Sequence, residues 1–224
     1  MENLSLSQKF YLFSENEKGK FSDLEQKKSY ILGVAAILEL KEANIIEIYK
    51  TKLLKFLKIK KINELNDKLS YLKPMYDILK DKDEMELASF LEKTFITFKT
   101  SPRDKVINNI KDIFDSYEFL EEKNIATFGK NINKVIKSDV KKEYADDLKQ
   151  KILHHTYDEK DAILALMLYE ANLLKKYYDK IDYNLLKDEI KIIKKNEDHE
   201  ELQSAMSLYT TMMIFYISCI YTNN

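Results

Sequence analysis

Glycine and proline are scarce: the 224 residues include three glycines and two prolines. Tight turns, hairpin corners and phosphate-cradling loops draw on both, so a β-sandwich, a doubly wound nucleotide fold and a Gly-rich catalytic loop are disfavoured. A mainly α-helical domain remains. Cysteine occurs once, at Cys219, which excludes an internal disulfide and with it a small disulfide-stapled secreted scaffold, and favours a cytosolic setting. Tryptophan is absent, and arginine occurs only at Arg103 among 37 basic residues set against 38 acids. The formal charge of −1 argues against a globally basic nucleic-acid binder, so no nucleic-acid partner is expected. The opening MENLSLSQKF has neither a basic start nor a long apolar run, so no export signal is read there. What the chain does have is 45% hydrophobic and 33% charged residues, enough to bury a sizeable core and to fold unaided.

Leu6, Phe10, Tyr11 and Phe13 fall within two turns after Ser5, which predicts a short amphipathic helix capped by Ser5, followed by a turn around Gly19. Ser22-Asp23-Leu24-Glu25 has the S-x-x-E form of a capping box. It precedes a wide apolar stripe through Tyr30, Ile31, Val34, Ala35 and Leu38, so a buried helix is expected to about Ala43, with Asn44 ending it. Residues 45–49 are β-branched and aromatic, and together with 53–59 they predict a short β-hairpin. Helical spacing returns from Ile62 through Leu65, Leu69 and Leu72, and Pro74 either breaks it or starts the next element. A helix is expected over 85–98. Another begins at Ser101-Pro102 and carries Val106, Ile110, Ile113, Phe114 and Tyr117 on one face. The segment 119–136, with Gly129 and isolated apolar residues, is either a second β-hairpin or a loop. Four helices are expected in the last third, over 139–154, 158–178, 183–195 and 200–221. No repeat or linker divides the chain, so one domain is the simplest organisation.

Chemistry-bearing motifs are few. His154-His155 is adjacent rather than three or four residues apart, so the two rings cannot share one helix face as metal ligands must; no metal site is expected. His199 reads as a helix-start residue, and Cys219, in an apolar run, as a small buried hydrophobe. The pairs Asp146-Asp147 and Glu121-Glu122 lie in charge-rich stretches that read as solvated faces rather than a general acid and base. No G-x-S-x-G, P-loop, H-E-x-x-H or EF-hand loop occurs, and neither enzyme nor cofactor is expected.

Two features point instead to membranes. Residues 202–224 carry no charge and are long enough to span a bilayer, but interspersed Ser and Thr and the lack of a basic flank favour a buried core helix. Residues 50–61 carry six lysines among Leu53, Leu54, Phe56, Leu57 and Ile59, a cationic apolar strip suited to anionic lipid, although lysine is also this chain's default surface residue. Arg103 and Lys105 open a helix, where backbone N–H groups favour a phosphate.

The ordered pattern Leu4-Ser5-Leu6-Ser7-Gln8-Lys9-Phe10-Tyr11-Leu12-Phe13, Lys18-Gly19-Lys20, Ile31-Leu32-Gly33-Val34-Ala35-Ala36-Ile37-Leu38-Glu39-Leu40 and the strand at 45–49 resembles the opening of the Golgi phosphoprotein 3 family. Members of that family begin with an LSL-x-E-x-x-LL helix, a turn, a G-x-x-G-A-x-L-x-E-L helix and a G-R-I-x-V strand. Ala162-Ile163-Leu164-Ala165-Leu166-Met167-Leu168 with Asn172-Leu173-Leu174 resembles the family's LLALI…A…LL helix, so the resemblance spans nearly the whole length. It implies a single helical domain over 1–224 with a projecting β-hairpin, acting as a peripheral membrane adaptor for phosphatidylinositol 4-phosphate. Eukaryotic members also grip cytosolic tails of Golgi glycosyltransferases. The family's lipid pocket uses a Trp after the first turn, an Arg in the second helix and two Arg at the start of a middle helix. Those positions fall here near Leu24, at Gly33 and around 103–107, where Arg103 and Lys105 are basic.

The expectation is therefore a divergent, bacterial-type member at the cytosolic membrane face, holding an anionic lipid headgroup with Arg103, Lys105, Lys27 and Lys28. The alternative is a protein-interaction scaffold that oligomerises or holds a partner through a hairpin.

Overall fold

In a computed structural model of the chain, the described residues are 3–20, 26–50, 57–80, 82, 84–95, 101–126, 131–195 and 200–222. They run in the order α1 (Leu6–Ser14), α2 (Gln26–Glu42), β1 (Ile46–Lys50), β2 (Leu57–Lys61), a 3-10 turn (Asp67–Leu72), α3 (Lys73–Lys80), β3 (Glu84–Glu86), α4 (Leu87–Phe95) and α5 (Pro102–Ser116). Then follow β4 (Leu120–Asn124), β5 (Ile132–Ile136), α6 (Ser138–Leu153), α7 (Glu159–Glu170), α8 (Leu174–Tyr177), α9 (Lys180–Lys195) and α10 (Glu200–Thr222). This is the mainly helical class with short β-hairpins that composition and periodicity predict. The chain groups into two compact units, one comprising Met1–Lys28 with Ile113–Met206 and the other Ser29–Asp112 with Ser207–Asn224.

The first unit is built round α7. Eight of its twelve residues, Asp161 to Leu168, are buried, so α7 is apolar on every side and packs against α1, α6 and α9. Its start is fixed by a capping box in which the Asp158 carboxylate accepts from the Asp161 N–H at 2.8 Å. The buried Asp161 carboxylate is met by Lys151 at 3.2 Å and Lys9 at 3.7 Å. α1 carries the expected Ser5 cap, with the Ser5 N–H donating to Gln8 Oε1 at 3.0 Å, and Phe10, Tyr11, Leu12 and Phe13 are essentially inaccessible. The turn after it places Gly19 at φ +69°, where a Cβ would stand 2.5 Å from the Lys134 carbonyl oxygen, so only glycine allows β5 to lie this close. β4 and β5 pair antiparallel with Glu122 opposite Lys134, which settles 120–136 as a hairpin; residues 127–130 lie outside the described residues.

In the second unit the hairpin β1–β2 has Ile48 opposite Ile59, and β3 adds to β2 with Met85 opposite Ile59. The third strand is a departure from the helix expected over 85–98. Glu84-Met85-Glu86 alternates exposed, buried, exposed, its acids face Lys60 and Lys58 across the ladder, and the helix starts only at Leu87. α3 and α4 pack on β2, and residues 96–100 lie outside the described residues. Residues 67–72 form a 3-10 turn rather than α-helix, started by Asn66, whose side chain accepts from the Leu69 N–H at 3.1 Å. The expected capping box at 22–25 and the strip at 51–56 also lie outside the described residues.

Four helices end in the same device without a glycine. Asn44, Glu118, His155 and Asn172 have φ of 55° to 57°. Each stands just beyond a helix whose last carbonyls accept from it and its successor: Asn44 N to Lys41 O and Ile45 N to Leu40 O at 2.9 Å, and Asn172 N to Tyr169 O at 3.0 Å with Leu173 N to Leu168 O at 2.9 Å. This is the Schellman arrangement, usually built on glycine. At Asn172 it cuts the helix expected over 158–178 into α7 and α8.

α10 is 23 residues long, with Leu202, Ala205 and Leu208 buried. No described helix is long and apolar enough to cross a membrane.

Candidate functional site

The start of α5 carries two of the four basic residues expected at a headgroup site. Ser101 precedes it, its hydroxyl accepting from the Asp104 N–H at 3.2 Å and its carbonyl from the Lys105 N–H at the same distance, with Pro102 in the first helical position, where no N–H is needed. Arg103 does not present an open fork. Its Nε and Nη2 lie 2.9 and 2.8 Å from one oxygen of the neighbouring Asp104, and its Nη1 donates to the Ser29 hydroxyl at 3.2 Å. A guanidinium held this way is a positioning group that ties α5 to α2, with its charge offset by Asp104.

Lys105, one residue further on, is exposed and lines an open cleft of about 280 Å³ together with Ser70, Lys73 and Asn109. Both prolines of the chain, Pro74 and Pro102, stand in its wall, because the cleft lies where α3 and α5 begin. Asp77 also lines it and pairs with Lys73 at 2.6 Å. Asn109 donates to the Tyr71 carbonyl at 2.9 Å, and the Tyr71 hydroxyl donates to buried Glu39, so the polar wall is braced from behind. Two ammonium groups, a hydroxyl and an amide around one opening make a surface suited to a phosphate or sulfate ester. Lys73 is missed by the sequence reading, which leaves Pro74 as either a break or a start. The available signal is that each proline sits in the first turn of a helix beside a basic residue, Lys73-Pro74 and Pro102-Arg103.

Lys27 and Lys28 belong to the other unit and do not share that cleft's lining. The Lys27 ammonium lies 3.8 Å from Glu170 and is half-buried. Lys28 is buried, and burial followed by the neighbouring Lys176 ammonium lowers its pKa to about 8. It offers little surface to a headgroup.

The remaining sequence candidates separate. His154 caps α6 with its ring 2.9 Å from Gln150 Oε1, whereas the exposed His155 ring faces Glu189 at 3.7 Å, so the adjacent pair does not converge. His199 and the side chain of Cys219 lie outside the described residues. Asp146 is exposed, Asp147 pairs with Lys151 at 3.1 Å, and Glu121 and Glu122 are exposed on β4.

No protein-family model matches this chain, and no curated protein matches it significantly.

Proposed function

We propose that the protein is a peripheral membrane module that holds the phosphorylated headgroup of an anionic lipid, by resemblance phosphatidylinositol 4-phosphate, in the cleft at the start of α5. The observation that carries this reading is the convergence of Lys105 and Lys73 with Ser70 and Asn109 on one solvent-open cleft. An arriving phosphate displaces Asp77 from Lys73 and gains both ammonium groups, with Arg103 keeping the helix start in register from the side. Lysine, a point charge on a flexible stem, suits recognition of phosphate without the planar fork that arginine supplies. The resemblance to the Golgi phosphoprotein 3 family supports the same reading, with Lys105 and Lys73 in place of an arginine set.

The test is co-flotation with vesicles of phosphatidylcholine alone, with phosphatidylserine, or with phosphatidylinositol 4-phosphate, at low and physiological salt. Preferential flotation with the phosphoinositide, lost in Lys105→Glu/Lys73→Glu, is the expected result. Equal flotation of the wild type and this double variant on phosphoinositide vesicles overturns the cleft assignment.

A second reading, a scaffold that self-associates through a hairpin, is favoured by Ile132, which is 54% exposed at the start of β5. Concentration-dependent sedimentation without any flotation is its signature.

A further inference from the structure

α9 bears two apolar stripes where a packed surface helix needs one. Leu186, Ile190 and Ile193 are buried on the side that packs against α6 and α7. Ile181, Leu185 and Ile192, which are 73%, 50% and 61% exposed, fall within roughly 40° of one another around the helix axis, and roughly 80° or more from the buried set. These three are aligned, not scattered, and isolated exposed apolar residues are what a soluble surface ordinarily carries.

The charges around the stripe indicate what covers it. α9 carries five lysines against three acids. All three acids are engaged within their own unit: Asp182 with Lys149 at 2.8 Å, Asp188 with Lys191 at 2.7 Å and Glu189 with His155 at 3.7 Å. Lys194 is paired in turn with Glu170 at 3.0 Å. The excess positive charge thus rests on Lys180, Lys187 and Lys195, all on α9 itself. Lysine is depleted from protein–protein interfaces, whereas a helix lying in a bilayer interface carries it beside aliphatic residues, with the stem buried and the ammonium at the lipid phosphates.

We infer that α9 is a membrane-contacting helix, whose Ile181, Leu185 and Ile192 enter the headgroup boundary of an anionic bilayer while Lys195 and Lys180, on one flank of that stripe, engage lipid phosphates. This rests on the peripheral-membrane reading and deepens it by naming a bilayer-facing element distinct from the headgroup cleft and from the hairpin β1–β2. Asp188 borders the stripe, paired to Lys191, and acts as a brake that keeps the contact reversible.

The chain has no tryptophan, so Ile192→Trp supplies a fluorescence reporter without background. On mixing with phosphatidylcholine vesicles containing phosphatidylserine, its emission shifts to the blue, and that of Ile62→Trp, placed just beyond β2, stays unchanged. In flotation with the same vesicles, Ile181→Ser/Leu185→Ser/Ile192→Ser loses binding by roughly tenfold or more. Removing a lysine by Lys195→Gln costs about fivefold. Asp188→Asn tightens binding instead. These exposed positions leave the thermal transition and circular dichroism of the variants unchanged, which separates lost contact from lost fold.

Wild-type flotation that persists in the triple serine variant, or a blue shift at position 62 and none at 192, overturns the assignment of α9 while leaving the membrane reading intact. A triple variant that loses self-association in sedimentation, with unchanged flotation, assigns the stripe to a second copy and overturns it likewise. If the wild type floats with no vesicle at any salt, both readings fall.

Discussion

The ammonium of Lys141 lies 3.4 Å from the carboxylate of Glu15, which has no solvent exposure at all. The same carboxylate accepts from the Ile136 N–H at 2.8 Å and from the Tyr11 hydroxyl at 3.3 Å, and Lys141 donates also to the Glu15 carbonyl at 3.1 Å. One side chain thus joins the end of α1 to β5 and α6. Burial drives the Lys141 pKa down and the nearby Glu15 carboxylate opposes it, while burial and Glu15 push the Tyr11 hydroxyl up. Glu15→Ala strands an amide and an ammonium and is expected to cost about 3–5 kcal/mol in urea unfolding. Glu15→Gln, which keeps an acceptor for Ile136, costs measurably less. Equal losses in the two variants count against the hydrogen-bonded junction.

Lys28 makes stability pH-dependent in the alkaline range. Its pKa in the folded chain is about 8, whereas an unfolded lysine titrates near ~10.4. Between those values the unfolded chain binds a proton that the folded chain does not, so stability rises as pH increases and is lost as pH falls through 8. Denaturant midpoints at pH 7.5 and 9.5, compared between wild type and Lys28→Met, are expected to show the larger rise in the wild type, the lowered Lys141 contributing to both. Tyr177 and Tyr178, whose hydroxyls burial pushes up, act in the opposite direction above about pH 10, so the comparison stays below that.

Gly19→Ala is expected to destabilise by roughly 2–4 kcal/mol, from a positive φ and a Cβ forced against the Lys134 carbonyl. Gly19→Asn relieves the first cost but not the second. Thermal unfolding of the two variants apportions strain and clash, and a wild-type transition in Gly19→Ala would contradict the close approach of β5.

Glu118 closes α5 at φ 57°, with Phe119 N donating to Phe114 O at 2.9 Å and Glu118 N to Asp115 O at 3.0 Å. Glutamate gains nothing from this conformation and glycine adopts it freely. Glu118→Gly is expected to stabilise by about 0.5–1 kcal/mol, seen as a higher denaturant midpoint at unchanged slope.

Local chemistry made much of this fold legible beforehand. Ser5 marked α1, Ser101-Pro102 marked α5, and the β-branched run at 45–49 marked the first hairpin. Where periodicity alone was used it overran. Residues 158–178 keep helical apolar spacing straight through Asn172, whose left-handed conformation depends on the cap formed around it. Glu84-Met85-Glu86 is too short to declare itself a strand, and its assignment comes from Lys58, Ile59 and Lys60 on a partner strand distant in sequence, with Met85 opposite Ile59. The candidate site was half visible: helix-start logic found Lys105, but Lys73 enters only through the packing of α3, and Arg103, found by the same logic, is occupied by its own neighbour.

The contacts of α1 also set a timetable for biosynthesis. Glu15 meets Ile136 and Lys141 at separations of 121 and 126 residues, and the Phe13 carbonyl accepts from the Tyr177 hydroxyl 164 residues on. Translation at about 5–20 residues per second leaves α1 without these partners for roughly 6 to 30 s after it clears the ribosome. Residues 29–112, an unbroken stretch, are complete long before then. Through that interval Phe10, Tyr11, Leu12 and Phe13 form an exposed nascent-chain segment of the kind chaperones hold, and synonymous changes that slow translation between 30 and 177 lengthen it.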